Sequence, residues 1–237
     1  KWDGSSWNQR GSDIDGEATS DYSGRSVSLS SDGSIVAIGA YGNDGNGSNS
    51  GHTRIYKWDG SSWNQRGSDI DGEAAGDYSG FSVSLSSDGS IVAIGAHYND
   101  GNGANSGHTR IYQWDSASSS WNQLGSDIDG EAALDYSGCS VSLSSDGSVL
   151  AIGAHQNDGN GSSSGHTRIY QWDSASSSWN QVGSDIDGEA AGDLSGFSVS
   201  LSSDGSIVAI GAYANDGNGS NSGHTRIYQW DSASSSW

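Results

Sequence analysis

Four times along the chain the segment Asp-Ile-Asp-Gly-Glu gathers three carboxylates within five residues, and a fourth aspartate follows four residues later. The sets are Asp13, Asp15, Glu17 and Asp21; Asp69, Asp71, Glu73 and Asp77; Asp127, Asp129, Glu131 and Asp135; and Asp185, Asp187, Glu189 and Asp193. Carboxylates this close repel one another unless a cation or a group of backbone amides neutralises them. The segment therefore reads either as a calcium loop or as a turn whose carboxylates cap free amides. A second run, Asn-Asp-Gly-Asn-Gly, places oxygen side chains at alternate positions: Asp44 and Asn46, Asp100 and Asn102, Asp158 and Asn160, Asp216 and Asn218. Flexible glycines between oxygen donors suit the start of a calcium loop, but no acidic residue closes the run with two oxygens, and a plain Gly/Asn turn is the competing reading. Asn46, Asn160 and Asn218 also head Asn-Gly-Ser, the acceptor pattern for N-glycosylation, which Ala104 breaks in the second copy.

The other reactive side chains recur in the same way. His52, His108, His166 and His224 each precede Thr-Arg, one per copy. With identical neighbours everywhere they read as strand-edge residues, not as ligands converging on one ion. Arg54, Arg110, Arg168 and Arg226 are expected to pair with nearby carboxylates. Two tryptophan rows, Trp58, Trp114, Trp172, Trp230 and Trp7, Trp63, Trp121, Trp179, read as packing between units, with sugar stacking as the alternative. Cys139 is the single cysteine, and the positions equivalent to it hold Arg25, Phe81 and Phe197, so it reads as a packing substitute. No Ser, His or carboxylate is special to one copy, and the sequence reads as non-enzymatic.

Elements that position these residues follow from the repeat itself. The Trp-Asn-Gln triplet falls at Trp7, Trp63, Trp121 and Trp179, spaced by 56, 58 and 58 residues, and Trp237 opens a further copy. The repeats run 7–62, 63–120, 121–178 and 179–236, with 1–6 the tail of a preceding one. The length difference sits where Asp59-Gly60-Ser61-Ser62 becomes Asp115-Ser116-Ala117-Ser118-Ser119-Ser120, marking an exposed hairpin tip. In the second copy, Ser82–Ser86 alternates polar with apolar, the period of a half-buried strand. Asp88-Gly89 supplies a tight turn, and Ile91–Ala96 is an apolar run suited to a strand covered on both faces. His108–Trp114 is β-branched and aromatic, and Trp121–Ser126 forms a more polar edge strand. Four antiparallel strands in about 58 residues describe a β-propeller blade. The chain is expected to be all-β, its four blades forming either a ring of four, closed by the N-terminal strand completing the last blade, or part of a larger propeller or array.

The pattern of Gly76-Asp77-Tyr78-Ser79-Gly80-Phe81-Ser82-Val83, Leu85–Ser90, Val92–Ala96 and Thr109–Tyr112 recurs in every copy, with substitutions at the Gly76, Tyr78, Phe81 and Val92 positions. On these residues the chain resembles the FG-GAP-like repeats of integrin-type β-propellers. Three departures stand out, the first being that no Pro follows Gly-Ala. The Phe-Gly pair appears here as Gly-Phe, and the calcium loop that such repeats hold between their first two strands is replaced by a short Ser-Asp-Gly-Ser turn. The resemblance implies an extracellular propeller used in adhesion or as a scaffold.

Composition narrows the partners. A net charge of −20 and a pI near 4.1 repel nucleic acid and anionic lipid and attract cations or basic partners. No apolar run approaches the roughly 20 residues that cross a membrane. One cysteine excludes an internal disulfide framework. The expected function is an extracellular or cell-surface structural and adhesion scaffold, calcium being its one candidate cofactor. Its expected partners are other proteins or further copies in a filament or cell-surface assembly. A lectin-like module with one glycan site per blade is the alternative.

Overall fold

A computed structural model describes all 237 residues and contains strands but no helix. The first copy folds as β1 (Ser26–Leu29), β2 (Ile35–Ala40), β3 (His52–Trp58), β4 (Trp63–Gln65) and β5 (Ile70–Asp71). The second holds β6 (Ser82–Leu85), β7 (Ile91–Ala96), β8 (His108–Asp115), β9 (Ser120–Gln123) and β10 (Ile128–Asp129). The third holds β11 (Ser140–Leu143), β12 (Val149–Ala154), β13 (His166–Asp173), β14 (Ser178–Gln181) and β15 (Ile186–Asp187). The fourth is shorter, with β16 (Ser195–Leu201), β17 (Ile207–Ala212) and β18 (His224–Gln229). Each sheet is antiparallel and follows chain order.

The expected hairpin between the first two strands is held by its aspartate. In the second copy Asp88 accepts hydrogen bonds from the Ser86 hydroxyl and the Ser90 amide, while Gly89 takes a φ of 65°. Every residue of β7 is buried, as its unbroken apolar run requires.

The outer edge differs from expectation. The fourth strand ends at Gln123 instead of reaching Ser126, and the Asp-Ile-Asp segment returns as a fifth strand. The third strand is long enough to pair with both: β9 covers Tyr112–Asp115, and β10 covers His108–Thr109. Gly67, Gly125 and Gly183 make the break, with φ of 84°, 82° and 77°. Any side chain there would also strike a tryptophan of the following copy: a Cβ on Gly125 would lie 2.9 Å from Trp172.

The cores lie between sheets and not inside them. Ile35, Ala37, Ile55 and Ile70 of one copy form a single cluster with Leu85, Val92, Ile94 and Tyr112 of the next, so a lone blade has no core of its own. Polar rungs cross the same boundary. The Ser28 hydroxyl accepts from the Leu85 amide at 2.9 Å, and Ser84 and Ser142 do the same for Leu143 and Leu201 at 3.0 Å. The Ser31 amide donates to Ser87 O, Ser87 to Ser145 O, and Ser145 to Ser203 O. Replacing Ser84 with alanine strands the buried-side Leu143 amide. The expected cost is about 1–2 kcal/mol, read in urea unfolding as a lower midpoint with an unchanged slope.

Ring closure within the chain is not found. Residues 1–25 form no strand, only a bridge between Trp2 and Trp7, and the fourth sheet has three strands, all its own. The N-terminal segment instead docks on the first blade. Arg10 donates to Gly33 O and lies over the Trp58 ring, and Trp63 Nε1 donates to Arg10 O. Arg66 makes the same contacts one copy later, with Gly89 O and with Trp121. The segment before a blade thus docks on that blade through its arginine, while in later copies its strands, such as β4 and β5, pair with the blade before. The two end faces are open: Val27 and Leu29 are 63% and 59% exposed, and Ile227 is 71% exposed.

Candidate functional site

Along the third strand His, Arg and Tyr alternate with Thr and Ile, so His52, Arg54 and Tyr56 share one face. That face receives the acidic segments. Glu17 arrives from the segment before the blade and Asp69 from the turn into β5, which pairs Asp71 with His52. The His52 Nδ1 atom stands 3.8 Å from Glu17 Oε2 and 3.7 Å from Asp69 Oδ2. Arg54 Nη1 lies 3.5 Å from the other Glu17 oxygen, and Arg54 Nη2 donates to Asp15 O at 2.6 Å. Glu73, His108 and Asp127 with Arg110, and Glu131, His166 and Asp185 with Arg168, repeat the arrangement. In each set one ligand atom per residue lies within 4.8 Å of the other two. The fourth copy pairs His224 with Glu189 at 3.6 Å.

The histidines are not at a strand edge, as the sequence suggested. His52, His108 and His166 are each 1% exposed, because β3, β8 and β13 are inner strands and the acidic segments cover them. Burial holds their pKa values low, at about 4 in His108 and His166, so the rings are neutral near pH 7. Burial also raises Glu73 and Glu131, against the opposing pull of Arg110 and Arg168. Asp129 and Asp187 are raised by burial and by the neighbouring Asp127 and Asp185.

The four carboxylates of each acidic run do not converge; they divide three ways. Asp21, Asp77, Asp135 and Asp193 are buried and accept from the amides of Ala18, Ala74, Ala132 and Ala190 and from Asn43, Asn99, Asn157 and Asn215. That is the amide-capping arrangement. Asp15, Asp71, Asp129 and Asp187 offer their carbonyls to the strand arginines. Asp13 accepts from Gln9. Asp69, Asp127 and Asp185, which also accept from a glutamine, face the histidine of the preceding blade, whereas each glutamate faces the histidine of its own. Histidine sites thus draw from two successive acidic runs, a pairing that spacing within one run does not reveal. The 35-residue interval from glutamate to histidine, constant in all copies, was the available signal.

The Asn-Asp-Gly-Asn-Gly loops are internally bonded. Asp44, Asp100, Asp158 and Asp216 accept from the amides of Asn49, Asn105, Ser163 and Asn221. Asn46, Asn102 and Asn160 each donate to two carbonyls of the next acidic run. Among the three glycosylation candidates, Asn46 and Asn160 therefore have tethered amides, while Asn218 makes no such bonds and is exposed. Cys139 is buried, its thiol pushed up to about 11 by burial, and it points at Gly153 O and Gly196 O. It fills the place of a phenylalanine.

Tryptophans of successive copies flank shallow surface grooves. One, of about 660 Å³, is lined by Trp58, Asn64, Gln65, Arg66 and Trp114; another, of about 500 Å³, by Trp172, Asn180, Gln181 and Trp230. Trp58 and Trp63 meet edge to face at 5.4 Å, and the Trp114–Trp121 pair is the same.

The sequence profile of the FG-GAP repeat matches residues 13–56, 69–112, 127–170 and 185–228, which is more than half of the chain. No curated protein matches the chain in sequence. Among solved structures the fold is similar to a candidate 6-phosphogluconolactonase from Bacteroides uniformis. The TM-score is 0.57 at 13% identity, over 88% of this chain and 50% of that one. Hydrazine synthase of Kuenenia stuttgartiensis gives a TM-score of 0.49 at 13% identity, over 87% of this chain and 50% of that one. Such identities speak to the fold alone, and the second likeness carries no argument. This chain spans half the length of these solved proteins.

Proposed function

The chain belongs to the FG-GAP repeat family, and from that premise we propose that it is a non-enzymatic extracellular or cell-surface scaffold built for adhesion. The observation that carries this reading is the equivalence of its surfaces. The histidine site, the Trp groove and the Ser rungs recur at successive junctions with near-constant distances, so chemistry is spread along the array and not concentrated in one cleft. An acidic surface of net charge −20 supports solubility in salt and docking of basic partners or further copies of the chain. Calcium at the acidic loops belongs to the same proposal. Carboxylates and carbonyls are its ligand chemistry, and the carboxylates of Asp71, Asp129 and Asp187, which lie outside the histidine sets, are the groups that offer it.

A second reading rests on the grooves. Tryptophan faces beside Asn and Gln side chains suit saccharide recognition, where rings stack and amides bond to hydroxyls. A glycan array probed with the whole chain separates the two. The scaffold reading predicts background signal throughout. Saturable binding that falls at least tenfold in Trp114→Ala would replace it with the lectin reading.

A further inference from the structure

Each of the three complete Glu–His–Asp sets encloses a gap that its own groups do not fill. The separations from imidazole Nδ1 to carboxylate oxygen run from 3.6 to 3.9 Å, too long for hydrogen bonds. Yet the rings are buried and carry orphaned nitrogens: Nδ1 of His52, both nitrogens of His166, and Nε2 of His108 have no partner. The His52 side chain is 2% exposed and that of His166 1%, and in both the orphaned Nδ1 is the atom facing the carboxylates. A buried ring nitrogen without a partner carries a real cost, and it persists where a ligand takes up the lone pair.

The geometry suits an ion. Ligand atoms held about 2.0–2.2 Å from a tetrahedral centre stand roughly 3.4 Å apart, close to the separations seen. Arg54 engages Glu17 Oε1 and leaves Oε2 free, and Arg110 and Arg168 do likewise for Glu73 and Glu131. The arginine thus holds the glutamate in place and offsets part of the acidic charge. One imidazole with two carboxylates leaves a fourth position for water, and the partly exposed carboxylates give a path for entry.

We propose that Glu17, His52 and Asp69, Glu73, His108 and Asp127, and Glu131, His166 and Asp185 each bind one divalent transition-metal ion of the zinc class, clamping successive blades together. Imidazole nitrogen selects such borderline ions over calcium, which takes oxygen ligands alone. Asp69, Asp127 and Asp185 stand next to strands of the blade they edge, while the glutamates enter from the segment before it, so the ion ties that segment to the outer edge of the blade. The fourth copy pairs Glu189 with His224 at 3.6 Å, and the three complete sets are those of the first three copies. The site stands whether the array serves as scaffold or lectin.

The test is a titration of the whole chelator-stripped chain with Co²⁺ and Zn²⁺, with Ca²⁺ and Mg²⁺ as controls. The expected result is three Co²⁺ per chain, visible d–d absorption, displacement by Zn²⁺, and a melting midpoint raised by roughly 5 °C or more at saturating Zn²⁺. Asp127→Asn, at a partly exposed position, is expected to fold and to lower the stoichiometry from three to two. Fewer than three sites in the unmodified chain, an equal shift with Ca²⁺, or an unchanged stoichiometry in Asp127→Asn would each overturn the proposal.

Discussion

Gly95→Ala is expected to destabilise the chain by about 3–5 kcal/mol, enough to unfold a large share of it at 37 °C. Gly95 has ordinary strand geometry, so the effect comes from space and not from backbone freedom. A Cβ there would sit inside van der Waals distance of Gly138 O and Ser82 Oγ. The carbonyl cannot withdraw: the Ser82 hydroxyl donates to it, and the Gly138 amide is tied to Gly153 O. Gly138 itself has a φ of 82° and packs against His108 O. Gly39 and Gly153 meet Gly80 and Gly196 in the same way, so these glycines set how closely one blade approaches the next. Gly211 is the internal control, because its would-be Cβ meets only the Ser198 side chain, which can rotate away. Gly211→Ala should cost about 1 kcal/mol. Equal losses for the two variants in urea unfolding would show that blade contact is not the cause.

The second large effect is acid sensitivity centred on His97. This residue lies 3.9 Å from the Phe81 ring and 4.4 Å from that of Tyr98, with no carboxylate acting on it, and burial lowers its pKa to about 3. His155, in the next copy, is lowered to about 4 by the same cause. Both sit below an unfolded value near 6.5, so the unfolded chain binds more protons between these limits. Stability is therefore full above about pH 6.5 and is lost as pH falls toward about 4. Glu73 and Glu131, raised by burial, take up protons in the folded state and oppose the lower end of that loss. Tyr41 and Tyr213 occupy the equivalent positions in the outer copies, so tyrosine is a compatible replacement. His97→Tyr is expected to recover about 2–3 kcal/mol of the stability lost between pH 7.5 and pH 4.5, with little change at pH 7.5. Identical losses in the two proteins over that interval would show that His97 does not titrate as described.

Much of this architecture was legible because the repeat prints it four times. The Ser-Val-Ser-Leu alternation, the Asp-Gly turn and the Ile–Ala run each fold as their patterns indicate, since burial on one or both faces follows from local periodicity. The outer edge was less legible. A two-residue strand such as Ile128–Asp129 has no periodicity to display, and it exists only because β8 has unpaired length to offer. The histidine sites were hidden for a related reason. Reading His108 beside Thr and Arg suggests a strand edge, but the acidic segments that bury it come from 35 residues before and 19 after. The placement of Asp77 as an amide cap, by contrast, was already one of the two readings of its loop.

The central claim is that these blades stand face to face, each completing its neighbour, and amide hydrogen exchange at four equivalent leucines tests it most directly. The Leu85, Leu143 and Leu201 amides donate to serine hydroxyls of the preceding blade, whereas the Leu29 amide makes no such bond and the residue is 59% exposed. Face-to-face packing predicts strong protection at Leu85, Leu143 and Leu201 and fast exchange at Leu29. Equal exchange at all four would mean blades strung like beads, and would contradict the account.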